Sequence, residues 1–70
     1  MNVNKTTKYT DWEIEAHARA LHIVTNVKWP WTDREKRLWY IGVLAGAITR
    51  EGLENASLEQ LQAWHEELIS

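Results

Sequence analysis

Residues 32–51 read TDREKRLWYIGVLAGAITRE, a charged opening followed by an unbroken apolar-plus-glycine run from Leu38 to Ile48. Thr32 and Glu35 form the S/T-x-x-E/Q signature in which the hydroxyl caps the N3 amide and the N3 side chain reaches back. Asp33 adds negative charge in the first turn, where the helix dipole favours it. The pattern predicts a helix over Asp33–Glu51. Leu38, Ile41, Leu44, Ala45 and Ile48 make one apolar stripe on it, and Trp39, Tyr40, Val43 and Ala47 make another. A helix without a polar side must be buried nearly all round.

The same signature opens two further segments, Thr10-Asp11-Trp12-Glu13 and Ser57-Leu58-Glu59-Gln60. A first helix is predicted over Asp11–Thr25, with Tyr9 and Ile14 as a hydrophobic staple and Asn26 as a left-handed stop. A third is predicted over Leu58–Ile69, with Leu58, Leu61, Trp64, His65 and Leu68 on its apolar side. Between the first two lies Val27-Lys28-Trp29-Pro30-Trp31, where Pro30 keeps Trp29 out of the α region and makes an extended elbow. Gly52 fits the position just past the second helix, with Leu53 meeting Ile48 across its end. The expected fold is all-α: residues 1–9 a tail, residues 10–70 a compact three-helix bundle with the apolar second helix at its centre.

Composition narrows the function. Seventy residues make one small domain, with no cysteine to staple it, and a chain of this size is marginal as a monomer. Thiol chemistry and thiolate metal sites are excluded. The opening MNVNKTTKYT has no apolar core of a secretion signal, and the eleven residues from Leu38 to Ile48 are too few to span a bilayer. A soluble, cytoplasmic protein without membrane contact is expected. The net charge is −2, with residues 1–50 carrying eight Lys/Arg against five Asp/Glu and residues 51–70 carrying five Glu and no base. The last helix thus presents an acidic surface (Glu59, Glu66, Glu67), which is either solvated or complementary to a basic partner.

No catalytic or phosphate-binding motif occurs. His17 and His22 are five apart, on different sides of a helix. Glu13 and His17 have ligand spacing but amount to half a site. Neither an enzyme nor a bound metal or cofactor is expected. Lys28, Arg34, Lys36 and Arg37 interleave with Trp29 and Trp31 as a phosphate-contacting loop would. Asp33 and Glu35 interrupt them, however, and the last helix lacks the basic residues that read bases. A small DNA-binding regulator is therefore the second reading, and Arg37 also has the spacing to pair with Asp33.

Five tryptophans without a phenylalanine carry the first reading, because tryptophan serves equally as core filler and as interface anchor. Trp12 and Trp64 fall on core stripes. Trp39, Tyr40 and Val43 lie on the stripe that two partner helices cannot easily cover, and Trp29 and Trp31 are held rigidly about Pro30. Gly42 and Gly46, four apart, permit close helix approach, either to the first helix through Ala16 and Ala20 or to a second copy. The expectation is a non-catalytic protein–protein interaction module, a regulatory, adaptor or inhibitor protein that binds another protein or itself as a homodimer.

Overall fold

A computed structural model of the chain describes residues 9–70, so the expected tail lies, Tyr9 apart, outside the described residues. The described chain is all-α, with four helices: α1 (Asp11–Asn26), α2 (Asp33–Leu44), α3 (Arg50–Asn55) and α4 (Leu58–Ile69). Local chemistry explains the starts. The Thr10 amide donates to the Glu13 carboxylate at 2.8 Å, and the Thr32 amide donates to that of Glu35 at 2.9 Å. The Thr32 hydroxyl accepts from the Glu35 amide at 3.2 Å, and the Ser57 hydroxyl accepts from that of Gln60 at 3.1 Å. Each bond satisfies a group that the first helical turn would otherwise leave open.

The expected second helix is divided, which corrects the three-helix count. α2 ends at Leu44, and Ala45 follows with φ −61° and ψ 132°. Gly46 then has φ +100°, and the Ala47 amide donates to the Leu44 carbonyl at 3.0 Å. This is a type II turn, whose third position requires a glycine. Thr49 caps a new helix by accepting from the Gly52 amide at 3.1 Å. Gly52 therefore sits inside α3 and does not close the helix before it; Gly46 ends α2. Two smaller corrections concern α1. It runs through Asn26 to an extended Val27, with no left-handed asparagine. Tyr9 and Ile14 are both more than half exposed, and the Tyr9 ring meets His17 edge-on at 5.4 Å in place of a staple.

Gly46 is thus a turn residue and not a mid-helix contact. Among the described residues a methyl there would meet only Tyr9 Cε1 at 3.8 Å and Glu13 Oε2 at 3.9 Å, both ordinary distances. The φ alone makes substitution unfavourable. Gly46→Ala is expected to destabilise by about 1–2 kcal/mol, read as a shift of the urea midpoint with an unchanged slope.

The helices form a layer, not a closed bundle. α2 is central, and α1 and α4 pack on it while scarcely meeting each other. Gly42 sits directly against the Ala16 carbonyl and the Ala20 methyl. Ile23 and Leu38 share a groove, and Glu13 lies near Gly46, so α1 and α2 run antiparallel. On the other side, Arg37 donates to the Ala56 carbonyl at 2.7 Å and the Glu54 carbonyl at 2.9 Å, just before α4 starts. Leu44, Ala47 and Ile48 meet Trp64, Glu67 and Leu68 near its end. α3 returns the chain, so α4 runs alongside α2 in the same sense. Leu44, Leu53 and Leu61 are the fully buried centre, and Trp12, Tyr40, Ile41, Ile48, Ala56 and Trp64 pack against it. One broad side of the layer is closed by α3. The other broad side has no helix over it among the described residues.

Candidate functional site

The open side is where the remaining aromatics gather. The elbow Val27–Thr32 folds back on α2, held by a bond from Trp31 Nε1 to the Val27 carbonyl at 3.0 Å. That bond satisfies the indole N–H and fixes the ring beside α2. From it a chain of edge-on and tilted rings crosses the layer. Trp29 and Trp31 are 5.3 Å apart between centroids, Trp31 and Trp39 are 5.9 Å apart, and Trp39 lies 5.1 Å from His65 on α4. Tyr40 joins Trp39 at 5.2 Å and His65 at 5.4 Å. These separations fall within the 4.5–7 Å range in which aromatic pairs attract beyond their buried area.

Trp29, Trp31, Lys36, Trp39, Tyr40, Gln62 and His65 line a cleft of about 380 Å³, mostly apolar. Its outer lip is Trp29, 69% exposed. Lys36 Nζ stands 5.6 Å from the Trp29 ring centroid, a cation–π distance. The walls are held from several elements, the elbow by a backbone bond and the other rings by two packed helices. Such a site loses little side-chain freedom when something settles into it. Its polar complement is small: the Lys36 ammonium, the Gln62 amide, the Tyr40 hydroxyl and the His65 ring.

Of the expected partner-binding residues, Trp29, Trp31, Trp39 and Tyr40 meet in this cleft, while Val43 stands beside it, half-buried on α2. Tyr40 also reaches the core, so the second apolar stripe of α2 is partly consumed. Gly42 serves the α1–α2 crossing, and Gly46 makes the turn, so neither is free for a symmetric glycine contact. His65 and Gln62 were not expected here; His65 shares a helix side with Leu58 and Leu61, and only the tertiary placement of α4 carries its ring to Trp39.

The basic residues separate. Lys28 and Arg34 are exposed and Lys36 stands over Trp29, but both terminal guanidinium nitrogens of Arg37 are spent on backbone carbonyls. Those bonds replace the expected pairing of Arg37 with Asp33. Glu13 and His17 also take separate roles, the first in the α1 cap and the second against Tyr9. Among the described residues no three His, Cys, Asp or Glu side chains converge as metal ligands, and no helix is long and apolar enough to cross a membrane. No family model, curated protein or solved structure matches the chain.

Proposed function

We propose that the protein is a small non-catalytic interaction module, regulatory, adaptor or inhibitory in role and able to self-associate, that docks partners in the Trp29–Trp31–Trp39–Tyr40 cleft. The observation that supports this is a preformed cleft whose lip is a largely exposed tryptophan. Large aromatics held in place are the residues that dominate binding energy at protein interfaces. Monomeric soluble proteins seldom leave several such rings together at the surface. Collisional quenching tests the reading. Acrylamide is expected to quench a substantial part of the emission, and Trp29→Ala is expected to remove most of that accessible part. Proteins captured by the wild type should be lost with Trp39→Ala. Emission that resists the quencher in the wild type would overturn the proposal.

The alternative, a small DNA-binding regulator using the Lys28–Arg37 region, retains Lys28, Arg34 and Lys36 beside exposed indole surface but loses Arg37 to structure. It predicts duplex binding that falls steeply with salt and disappears on Arg34→Glu.

A further inference from the structure

We propose that the aromatic cleft receives a proline-rich segment of another protein, held as a polyproline II helix with a basic residue beside its prolines. The proposal rests on the interaction reading above and gives its cleft a partner chemistry.

The walls select the form of the guest. Five of the lining side chains are rings, Trp29, Trp31, Trp39, Tyr40 and His65, and none of the lining side chains is aliphatic. A cleft without leucine, isoleucine, valine or methionine offers no aliphatic seats for the ridge of an amphipathic helix. Strand addition needs an open strand edge, and the described elements are helices. Aromatic-lined grooves are the ones that take proline-rich segments, whose pyrrolidine rings pack on the aromatic faces. The spacing agrees. Successive rings from Trp29 through Trp31 and Trp39 to His65 stand between 5.1 and 5.9 Å apart, and a polyproline II helix advances about 6 Å in two residues. Each pair of guest residues therefore passes one ring.

The hydrogen-bonding groups suit the same guest. A polyproline II helix has no internal hydrogen bonds, so its carbonyls are open, and proline brings no N–H in need of an acceptor. The cleft supplies donors: the Lys36 ammonium, the Gln62 amide and the Tyr40 hydroxyl. The Trp31 N–H is taken by Val27, while those of Trp29 and Trp39 have no acceptor among the described residues. Guest and cleft are both preformed, so little conformational freedom is lost when they join.

Charge selects the residue beside the prolines. Glu59 and Glu66 stand three before and four after Gln62, on the same side of α4. Both are exposed, with no ion-pair partner among the described residues. Asp33 is exposed in the first turn of α2, on the side from which Arg37 reaches toward α4. On the elbow wall stand Lys28 and Lys36, the second already over the Trp29 ring. Glu35 is bound in its cap, Arg37 is bound to backbone carbonyls, and Arg34 lies about 200° round the helix from Lys36. The wall opposite Lys36 is thus acidic, and a guest with an arginine or lysine beside its prolines is complementary to it. Tyr9 lies against His17 and near Gly46, toward the start of α1, and Leu21 and Val24 are exposed on α1; none of these side chains lines the cleft.

Tryptophan emission of the intact chain, titrated with synthetic peptides that contain no aromatic residue, tests this. An oligoproline with an arginine at each end is expected to shift the emission to the blue and to slow acrylamide quenching, both saturably. Trp29→Ala, at an exposed site and with an unchanged circular dichroism spectrum, should raise the dissociation constant at least tenfold, and Trp39→Ala should abolish binding. The same oligoproline with glutamate ends should bind about fivefold more weakly, and Glu59→Lys with Glu66→Lys in one chain should reverse that order. An amphipathic leucine–lysine helical peptide that binds when the oligoproline does not overturns the proline-rich guest and leaves the docking cleft standing. A Trp29 that stays equally quenchable at every oligoproline concentration does the same. Equal affinity for the two charged ends overturns the basic flank. Tryptophans shielded in the free protein overturn both this proposal and the reading it rests on.

Discussion

Gly42→Ala is expected to lower the stability by about 2 kcal/mol, and Gly42→Leu to abolish cooperative folding. A side chain at residue 42 would occupy the space of the Ala16 carbonyl and the Ala20 methyl. The carbonyl belongs to the α1 backbone, so it moves only if the whole helix retreats. Overpacking costs about 1–3 kcal/mol; against a backbone carbonyl it falls at the upper end, and the 0.5–1 kcal/mol by which alanine exceeds glycine in a helix brings the net to about 2 kcal/mol. For a domain of this size 2 kcal/mol corresponds to a fall in Tm of about 8–16 °C, readily seen by circular dichroism. A second substitution separates close approach from helix propensity. Ala20→Gly removes one of the two obstructing groups, so in the Gly42→Ala background it should recover part of the loss. In the wild-type background the same change should only destabilise, by about 1 kcal/mol. Additive effects of the two changes would show that the crossing does not depend on contact at residue 42.

That crossing shows which parts of the molecule can be read along the chain and which cannot. Helix starts at Thr10, Thr32 and Ser57 are legible because a cap is a bond between residues three apart. The start of α3 was not, because Thr49 is followed at the third position by Gly52 where a glutamate or glutamine completes the signature. The apolar run through Leu38–Ile48 compounds this by continuing helical spacing across a type II turn. Two glycines four apart look equivalent in that run, yet Gly42 answers a demand from another helix and Gly46 a demand of its own backbone. The excess of apolar surface on α2 was legible, and its disposal was not. The predicted helix had to be surrounded on all sides; the real one is shorter and sits in a layer, with α1, α4 and α3 taking three sides. On the fourth, Trp39 and Val43 remain, where the second stripe had put them.

The candidate cleft divides in the same way. Trp29 and Trp31 could be tied to each other through Pro30, and Trp39 to Tyr40 and Val43 through helix spacing. Nothing local joins the first group to the second, or either to His65. Those meetings depend on how the elbow folds back, which the Trp31–Val27 bond holds, and on α4 running in the same sense as α2, which follows from α3 and its Arg37 anchor. The exposed stripe of α1 was hidden for a different reason. Ile14, Leu21 and Val24 merge with Ala16, Ala20 and Ile23 into one broad apolar arc. Only the contact at Gly42 shows that half of the arc is used.

Leu53→Ala is expected to cost about 3 kcal/mol, the largest effect of any single truncation outside the glycine crossing. Leu53 is 0% exposed and is the one buried residue of α3. Truncating a buried leucine forfeits its transfer free energy and leaves a cavity, typically 2–5 kcal/mol together. The consequence is larger here than at Leu61, because the two helices differ in what else holds them. α4 has twelve residues and further apolar contacts at Trp64 and His65. α3 has six residues, too few to be helical alone, and beyond Leu53 it is tied down mainly by Arg37 to the carbonyls that follow. Leu53→Ala should therefore lower Tm by roughly 12–24 °C and release α3 before the rest of the layer. Amide exchange is expected to accelerate first over Arg50–Ala56, and the side closed by α3 is then expected to begin to bind an apolar dye. If Leu53→Ala shifts the midpoint no further than Leu21→Ala, an exposed truncation on α1, then α3 is not what closes that side. The asymmetry between a covered and an open surface, on which the docking cleft depends, would then need another origin.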